Sequence, residues 1–230
     1  MKNNLSNYIN KKDKKKKEKE DKEQENQDAA MLEMLEQLAA EESKTNIIAL
    51  YGDVTEEKCS ELLYGMLVLR ETSKKEKPAD PDNPESEIVT TYEPFTFYIS
   101  TFGGSAADMF SIYDMMRIIQ EDGLEVETFG LGKVMSAGVL MLAAGTKGKR
   151  KIGKFCRVMI HSVSSGNAGS LHELENEVEE IKFTQRQYIK ALSSETNMSE
   201  KYLKKLIDRK TNVYLTAEEA VELGIADEVV

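Results

Sequence analysis

The sequence lacks several features that mark particular classes of protein. Its 230 residues include no tryptophan, four prolines, two histidines and two cysteines. The cysteines, Cys59 and Cys156, form neither a CxxC pair nor a cluster with histidine, which argues against a structural metal site and against a disulfide framework. We therefore expect a protein of a reducing compartment, the cytoplasm, with no bound metal and no cofactor.

Long apolar runs are also missing. No stretch approaches the roughly 18 apolar residues that a membrane span requires, and the first residues hold no apolar core of signal-peptide length. Acidic side chains outnumber basic ones by 41 to 31, which gives a net charge of -10 and disfavours general nucleic-acid binding. We expect no secretion, no membrane partner and no nucleic-acid partner.

The charge pattern divides the chain. Residues 11–25 read KKDKKKKEKEDKEQE, with almost no apolar side chain to offset the entropy lost on ordering. We therefore predict a disordered charged tail at 1–29 and one domain at 30–230, which opens with an amphipathic helix at 30–42.

Strand and helix patterns alternate through that domain, which predicts an α/β fold with largely parallel pairing. A segment at 74–94 holds all four prolines and is predicted to be a surface insertion with an extended arm at 88–92. KRKIG at 149–153 is predicted to be a turn. The predicted strands are 46–54, 95–101, 124–132, 156–161, 212–215 and 225–230, and the helices are 55–73, 105–122, 139–145, 171–196, 199–208 and 216–224.

One serine occupies an unusual place. Residues 132–145 read GKVMSAGVLMLAAG, so Ser136 lies between a predicted strand end and an apolar helix. Serine at a helix start commonly caps an orphan backbone N–H. A nucleophile at the same place would gain from the helix N-terminus, which stabilises negative charge.

Two further features complement Ser136. His161 ends an apolar strand, and strand ends are where α/β sheets bind ligands, whereas His172 lies in a glutamate-rich helix and is expected at the surface. Acyl transfer needs a nucleophile, a base and oxyanion donors. Ser136 and His161 fit the first two roles, and the N–H groups of Gly103, Gly104 and Ala137 fit the third. Spacing alone leaves a serine hydrolase and a ligand-binding α/β protein equally open.

Four segments carry a resemblance to a known family. They are FYISTFGGSAADMFSIYDMMRII, FGLGKVMSAGVLMLAAGTKGKR, RVMIHSVSSG and YLTAEEAVELGIADEV. In this order they resemble the successive conserved blocks of the ClpP family, the proteolytic subunits of the Clp protease. The similarity runs from Asn46 to Val230.

The resemblance implies a crotonase-like α/β subunit of repeated β-β-α units, with a protruding handle at 162–196. It implies a homo-oligomer in which two heptameric rings form a tetradecamer around a chamber. There Ser136 is the nucleophile, His161 the general base, and Gly103, Gly104 and Ala137 the oxyanion hole. The implied activity is hydrolysis of unfolded polypeptides, which an ATP-dependent unfoldase of the Clp type delivers.

The match breaks at the third catalytic position. Where the family has a carboxylate, this chain has Asn212, which accepts a hydrogen bond from the histidine but supplies no full charge. Asp208, four residues earlier, is a possible substitute, with a surface or capping role as its alternative. Phe102 replaces the usual proline before the paired glycines.

These departures keep two alternatives open. One is a catalytically weak or silent ring subunit that assembles with an active paralogue. The other is a specialised, viral-type processing protease that works without an unfoldase.

Overall fold

The computed structural model of the chain describes residues 46–81, 83, 86–166, 168–209 and 211–230. The tail predicted at 1–29 and the helix predicted at 30–42 lie outside these residues. Asn46–Val230 forms one unit with its own core. No helix in the described part of the chain has the length and apolarity needed to cross a membrane.

Nine strands and six helices alternate along the described residues. The strands are β1 (Ile47–Tyr51), β2 (Lys74–Pro78), β3 (Ile88–Tyr92), β4 (Phe95–Thr101), β5 (Val126–Met135), β6 (Arg150–Ile152), β7 (Arg157–Ile160), β8 (Val213–Leu215) and β9 (Glu228–Val229). The helices are α1 (Glu56–Thr72), α2 (Ala106–Glu121), α3 (Ala137–Ala143), α4 (Leu171–Glu195), α5 (Glu200–Ile207) and α6 (Ala217–Glu222).

The central sheet is built around the long strand β5. Its first half pairs in parallel with β4 and β6, and its last three residues pair in parallel with β7. Strands β1 and β9 extend the sheet in parallel on either side, and β8 runs antiparallel to β7. The predicted α/β class with largely parallel pairing is confirmed.

One local prediction was wrong, and one strand was missed. The segment predicted to be a turn at 149–153 contains strand β6. Its basic residues suggested an exposed segment, but Arg150 is only 4 % exposed. The arm predicted at 88–92 is β3, but it pairs with a strand that was not predicted, β2, whose sequence KKEKP carries no strand pattern and is exposed throughout. Cross-strand hydrogen bonds rather than burial therefore define this hairpin.

Helix α3 lies at the centre of the core. All seven of its residues are buried, so its terminal backbone groups cannot rely on water and need partners within the protein. At its C-terminal end, Thr128 Oγ1 donates to the carbonyl of Leu142 at 2.8 Å, and Arg117 and Gln120 donate to the carbonyl of Ala144. Cationic side chains also suit this negative end of the helix dipole.

Arg150 ties this helix end to two other segments. Its guanidinium donates to the carbonyl of Ala143 at 3.1 Å and to that of Glu195, the last residue of α4, at 2.8 Å. It also pairs with Asp227 at 2.5 Å, and the Asp227 carboxylate accepts the backbone N–H groups of Gly148 and Arg150. One buried cation thus joins the ends of α3 and α4 to the segment that precedes β9.

The Arg150–Asp227 pair predicts a measurable stability loss on Asp227→Asn. The variant leaves the Arg150 charge buried without a counter-charge, and we expect the free energy of unfolding to fall by about 2–3 kcal/mol in urea titration at pH 7. Glu125→Gln removes the exposed ion pair between Lys149 and Glu125 and serves as the control, for which we expect no measurable change.

The same ion pair makes the free energy of unfolding depend on pH. Burial by itself raises the pKa of Asp227, but the hydrogen bonds and charge of Arg150 outweigh it and hold that pKa below its ordinary value. The stabilisation is therefore complete above the unfolded pKa of about 3.9 and is lost as pH falls through the lower folded pKa. A stability difference between wild type and variant that stayed constant down to pH 2 would contradict this account.

Candidate active site

The backbone at Ser136 is strained. It joins the end of β5 to the start of α3 with φ 55° and ψ -119°, and it is the one non-glycine residue with positive φ in the described part of the chain. Such conformations are costly for a residue with a Cβ and concentrate at functional sites. Its N–H donates to the carbonyl of Met159 at 2.8 Å, which fixes it against β7.

The Ser136 hydroxyl does not cap the helix. Ser136 stands at the N-cap position as predicted, but its side chain accepts no hydrogen bond from the N–H groups of the first turn. Its Oγ lies 2.7 Å from Nε2 of His161 instead. In the structure the hydroxyl therefore faces the imidazole of His161 and not the N–H groups of the helix.

His161 reaches Ser136 through the sheet register. Parallel pairing of Met135 with Met159 brings the ends of β5 and β7 to the same edge, and His161 follows β7 there. Partial burial lowers the pKa of His161 below its ordinary value. The neutral imidazole, which is the form that accepts a proton from the serine hydroxyl, is thus favoured at neutral pH.

Two glycines close the site from the end of β4. A Cβ at Gly103, where φ is 103°, would lie 2.5 Å from Ser136 Cβ and 3.0 Å from its Oγ. A Cβ at Gly104, where φ is 151°, would lie 2.2 Å from the carbonyl oxygen of Val54. Both positions require glycine. A side chain at Gly103 would collide with Ser136, and one at Gly104 would collide with the backbone of Val54, in the loop after β1.

The predicted oxyanion donors are not equivalent. The N–H of Gly103 donates to Oγ1 of Thr101 at 2.9 Å, so this donor must be shared or released before it can stabilise an oxyanion. The N–H groups of Gly104 and Ala137 have no acceptor among the described residues, and both residues line the cavity beside Ser136. Ala137 also holds the first N–H of α3, where the helix dipole favours negative charge.

A small cavity of about 170 Å³ opens beside the serine and histidine. Met109 of α2, Tyr188 of α4 and Val163 of the loop after His161 contribute to its wall. Sequence reasoning did not identify these wall residues. The periodicity of α2 and α4 marks Met109 and Tyr188 as buried residues, but it does not show that the core side of each helix reaches Ser136.

Asn212, predicted at the third catalytic position, precedes strand β8, which pairs with β7, but makes no hydrogen bond with His161. The antiparallel register pairs Ile160 with Val213, so one further step places His161 opposite Asn212. Residues in such pairs lie within side-chain reach. Yet Asn212 is exposed, and no described residue accepts a hydrogen bond from Nδ1 of His161. Asp208 is the exposed C-cap of α5 and makes no contact with the histidine.

A serine hydroxyl bonded to a histidine, beside a helix N-terminus with a free N–H, defines the serine-hydrolase class of site. The sequence profile of the Clp protease family matches residues 87–230. The chain belongs to this family.

Similar proteins support the same assignment. An ATP-dependent Clp protease proteolytic subunit 2 from Corynebacterium jeikeium is 33% identical over 184 residues, which cover 80% of this chain and 78% of that protein. A proteolytic subunit 1 from Corynebacterium glutamicum gives the same identity and coverage. A proteolytic subunit 2 from Thermobifida fusca is 34% identical over 134 residues, or 58% of this chain and 64% of that protein.

These matches confirm the predicted resemblance, the ClpP-type fold and a serine-type peptidase activity. They favour a proteolytic subunit over a silent ring subunit and over a specialised processing protease.

Proposed function

We propose that Ser136 is the nucleophile and His161 the general base of this peptidase. The observation that carries the proposal is the 2.7 Å contact between Ser136 Oγ and His161 Nε2, made by a hydroxyl that performs no capping. As Oγ attacks the peptide carbonyl carbon, Nε2 takes its proton. The negative charge that develops on the carbonyl oxygen is stabilised by the N–H of Ala137 and by a second N–H from Gly103 or Gly104.

The second half of the reaction follows from the same atoms. Protonated His161 gives its proton to the leaving amine as the C–N bond breaks, which leaves an acyl ester on Ser136 Oγ. A water molecule then attacks the ester, with His161 again accepting a proton, and the serine is regenerated. The chain's own side chains supply every proton transfer in this scheme.

Asn212 is the proposed orienting partner of His161. The register that places it opposite the histidine supports this role over Asp208, which lies at a helix end four residues earlier. An amide oxygen at this position would accept a hydrogen bond from the Nδ1–H group and select the tautomer in which Nε2 accepts from Ser136. It would not stabilise the imidazolium as a carboxylate does.

The proposed biological setting is a cytoplasmic chamber made of two heptameric rings of this subunit, which takes in unfolded polypeptides from an ATP-dependent Clp-type unfoldase. The names of the similar proteins, ATP-dependent Clp protease proteolytic subunits, support it. The exposed apolar side chains of a single copy support it too. On α4, Leu171, Leu174 and Val178 recur on one helix face and are 69%, 37% and 47% exposed.

Ser136→Ala tests the nucleophile. We expect loss of covalent labelling by a fluorophosphonate probe and a loss of peptidase activity of at least about a thousandfold, because no other group replaces the attacking oxygen. Ser111→Ala, which changes an exposed serine of α2, is the matched control and retains labelling. Labelling of Ser136→Ala at the wild-type rate would refute the assignment.

Asn212→Asp tests the third position. A carboxylate opposite His161 stabilises the imidazolium, so we expect peptide turnover at pH 7.5 to rise by about tenfold or more. The base acts in its neutral form, so wild-type activity falls as pH drops through a His161 pKa that burial has lowered. The added carboxylate raises that pKa, and the acid limb of kcat/KM moves to higher pH.

The peptide turnover of a second variant, Asp208→Ala, is measured alongside that of Asn212→Asp. Unchanged turnover in Asn212→Asp, together with a loss in Asp208→Ala, would transfer the orienting role to Asp208. A rise in Asn212→Asp with no effect of Asp208→Ala supports the present assignment.

Electron microscopy of the purified chain tests the assembly. We expect sevenfold rings stacked in pairs, because the exposed apolar face of α4 needs a partner surface. A monodisperse monomer with full peptidase activity would contradict the proposed chamber while leaving the chemistry of Ser136 intact.

A further inference from the structure

Tyr188 connects the long helix α4 to the peptide of the candidate nucleophile. Its side chain is buried, with 5 % exposed, and its hydroxyl donates a hydrogen bond to the carbonyl oxygen of Ser136 at 3.1 Å. Its ring also contributes to the wall of the cavity beside Ser136 and His161. The contact joins residues 52 positions apart in the chain.

The carbonyl that Tyr188 holds belongs to a functionally important peptide unit. The bond between Ser136 and Ala137 is planar and trans, so its C=O and its N–H point in opposite directions. The oxygen also accepts from the N–H of Val139 at 3.0 Å, which is the first turn of α3. Two donors therefore hold the oxygen side of the peptide, and they determine where the Ala137 N–H points.

The backbone of Ser136 needs such support. Its left-handed φ is unfavourable for a residue with a Cβ and persists only where surrounding contacts impose it. The Met159 carbonyl holds the N–H of Ser136 on one side, and the Tyr188 hydroxyl holds its carbonyl on the other. The residue is thus fixed between β7 and α4.

We propose that Tyr188 is a positioning residue for catalysis: its hydroxyl orients the Ser136–Ala137 peptide so that the Ala137 N–H faces the developing oxyanion. This inference rests on the proposed roles of Ser136 and Ala137. Burial raises the pKa of the Tyr188 hydroxyl above its ordinary value, so the group remains a protonated donor throughout the working pH range.

Tyr188→Phe isolates the hydroxyl, because the ring still fills the buried space. We expect kcat for a peptide substrate to fall roughly three- to tenfold, the factor that one neutral hydrogen bond contributes. KM should change little. The acid limb of the pH profile should stay in place, since the Ser136–His161 contact is untouched.

The Ki of a peptide aldehyde distinguishes orientation of the oxyanion donor from a role of Tyr188 in packing alone. The aldehyde forms a reversible hemiacetal with Ser136 whose oxygen occupies the oxyanion position, so its Ki should weaken by the same factor as kcat. The ratio of aldehyde Ki to substrate KM does not depend on the fraction of folded enzyme. It therefore remains decisive even if the variant folds less well than the wild type.

Tyr113→Phe is the matched control. Its hydroxyl, also partly buried, donates to Oε1 of Glu195 at 2.9 Å, and neither residue lines the cavity beside Ser136. We expect a loss of stability comparable to that of Tyr188→Phe, with kcat and the Ki-to-KM ratio both unchanged.

The outcomes separate this inference from the proposed function. Wild-type kcat and Ki-to-KM ratio in Tyr188→Phe, with an inactive Ser136→Ala, would overturn the role of Tyr188 alone. Activity retained in Ser136→Ala would overturn the proposed function itself. A parallel change in substrate KM and aldehyde Ki, with kcat unchanged, would show that Tyr188 only shapes the cavity.

Discussion

The site depends on how the two ends of one buried helix are satisfied. All residues of helix α3 are buried, so the carbonyls at its C-terminal end need partners within the protein, whereas its N-terminal end borders the cavity beside Ser136. At the C-terminal end, Arg150 and its neighbours occupy the carbonyls. At the N-terminal end, no side chain of the described residues caps the helix, and Ser136 turns its hydroxyl to His161 instead. The unsatisfied donors are left where an oxyanion would form, which links the stability of the core to the chemistry of the site.

The sheet determines which groups meet at that end. Strand β5 runs past β6 and then pairs with β7, so the residue after β5 and the residue after β7 emerge together as Ser136 and His161. The antiparallel β8 continues the series by placing Asn212 opposite His161. In a sheet, a shift of one residue turns every side chain to the other face. The proposed catalytic set of Ser136, His161 and Asn212 is therefore specified by strand register more than by loops.

Much of this arrangement was predictable from the sequence. The alternation of apolar strands and amphipathic helices predicted the α/β class, and the FTFYIST pattern matched β4 in full. The strand end at His161 and the helix start at Ser136 follow from local signals. Strand β6 was missed because Arg150 is read as a surface residue until its partner Asp227, 77 positions away, is known. The hydrogen bond from the Tyr188 hydroxyl to the Ser136 carbonyl, 52 positions away, depends on a tertiary contact in the same way.

No carboxylate among the described residues bonds to His161, which affects how strongly its neutral and protonated forms are stabilised. Burial of the imidazole favours its neutral form, and no described charge opposes that effect. A neutral imidazole is a ready proton acceptor, yet the imidazolium formed in the transition state receives little stabilisation from a neutral amide. The proposed mechanism therefore relies more heavily on the oxyanion side, where hydrogen bonds from Ser136 to Met159 of β7 and from Tyr188 of α4 hold the backbone of Ser136. In the proposed mechanism, a precisely placed backbone donor compensates for the missing charge, and the strained φ of Ser136 serves that placement.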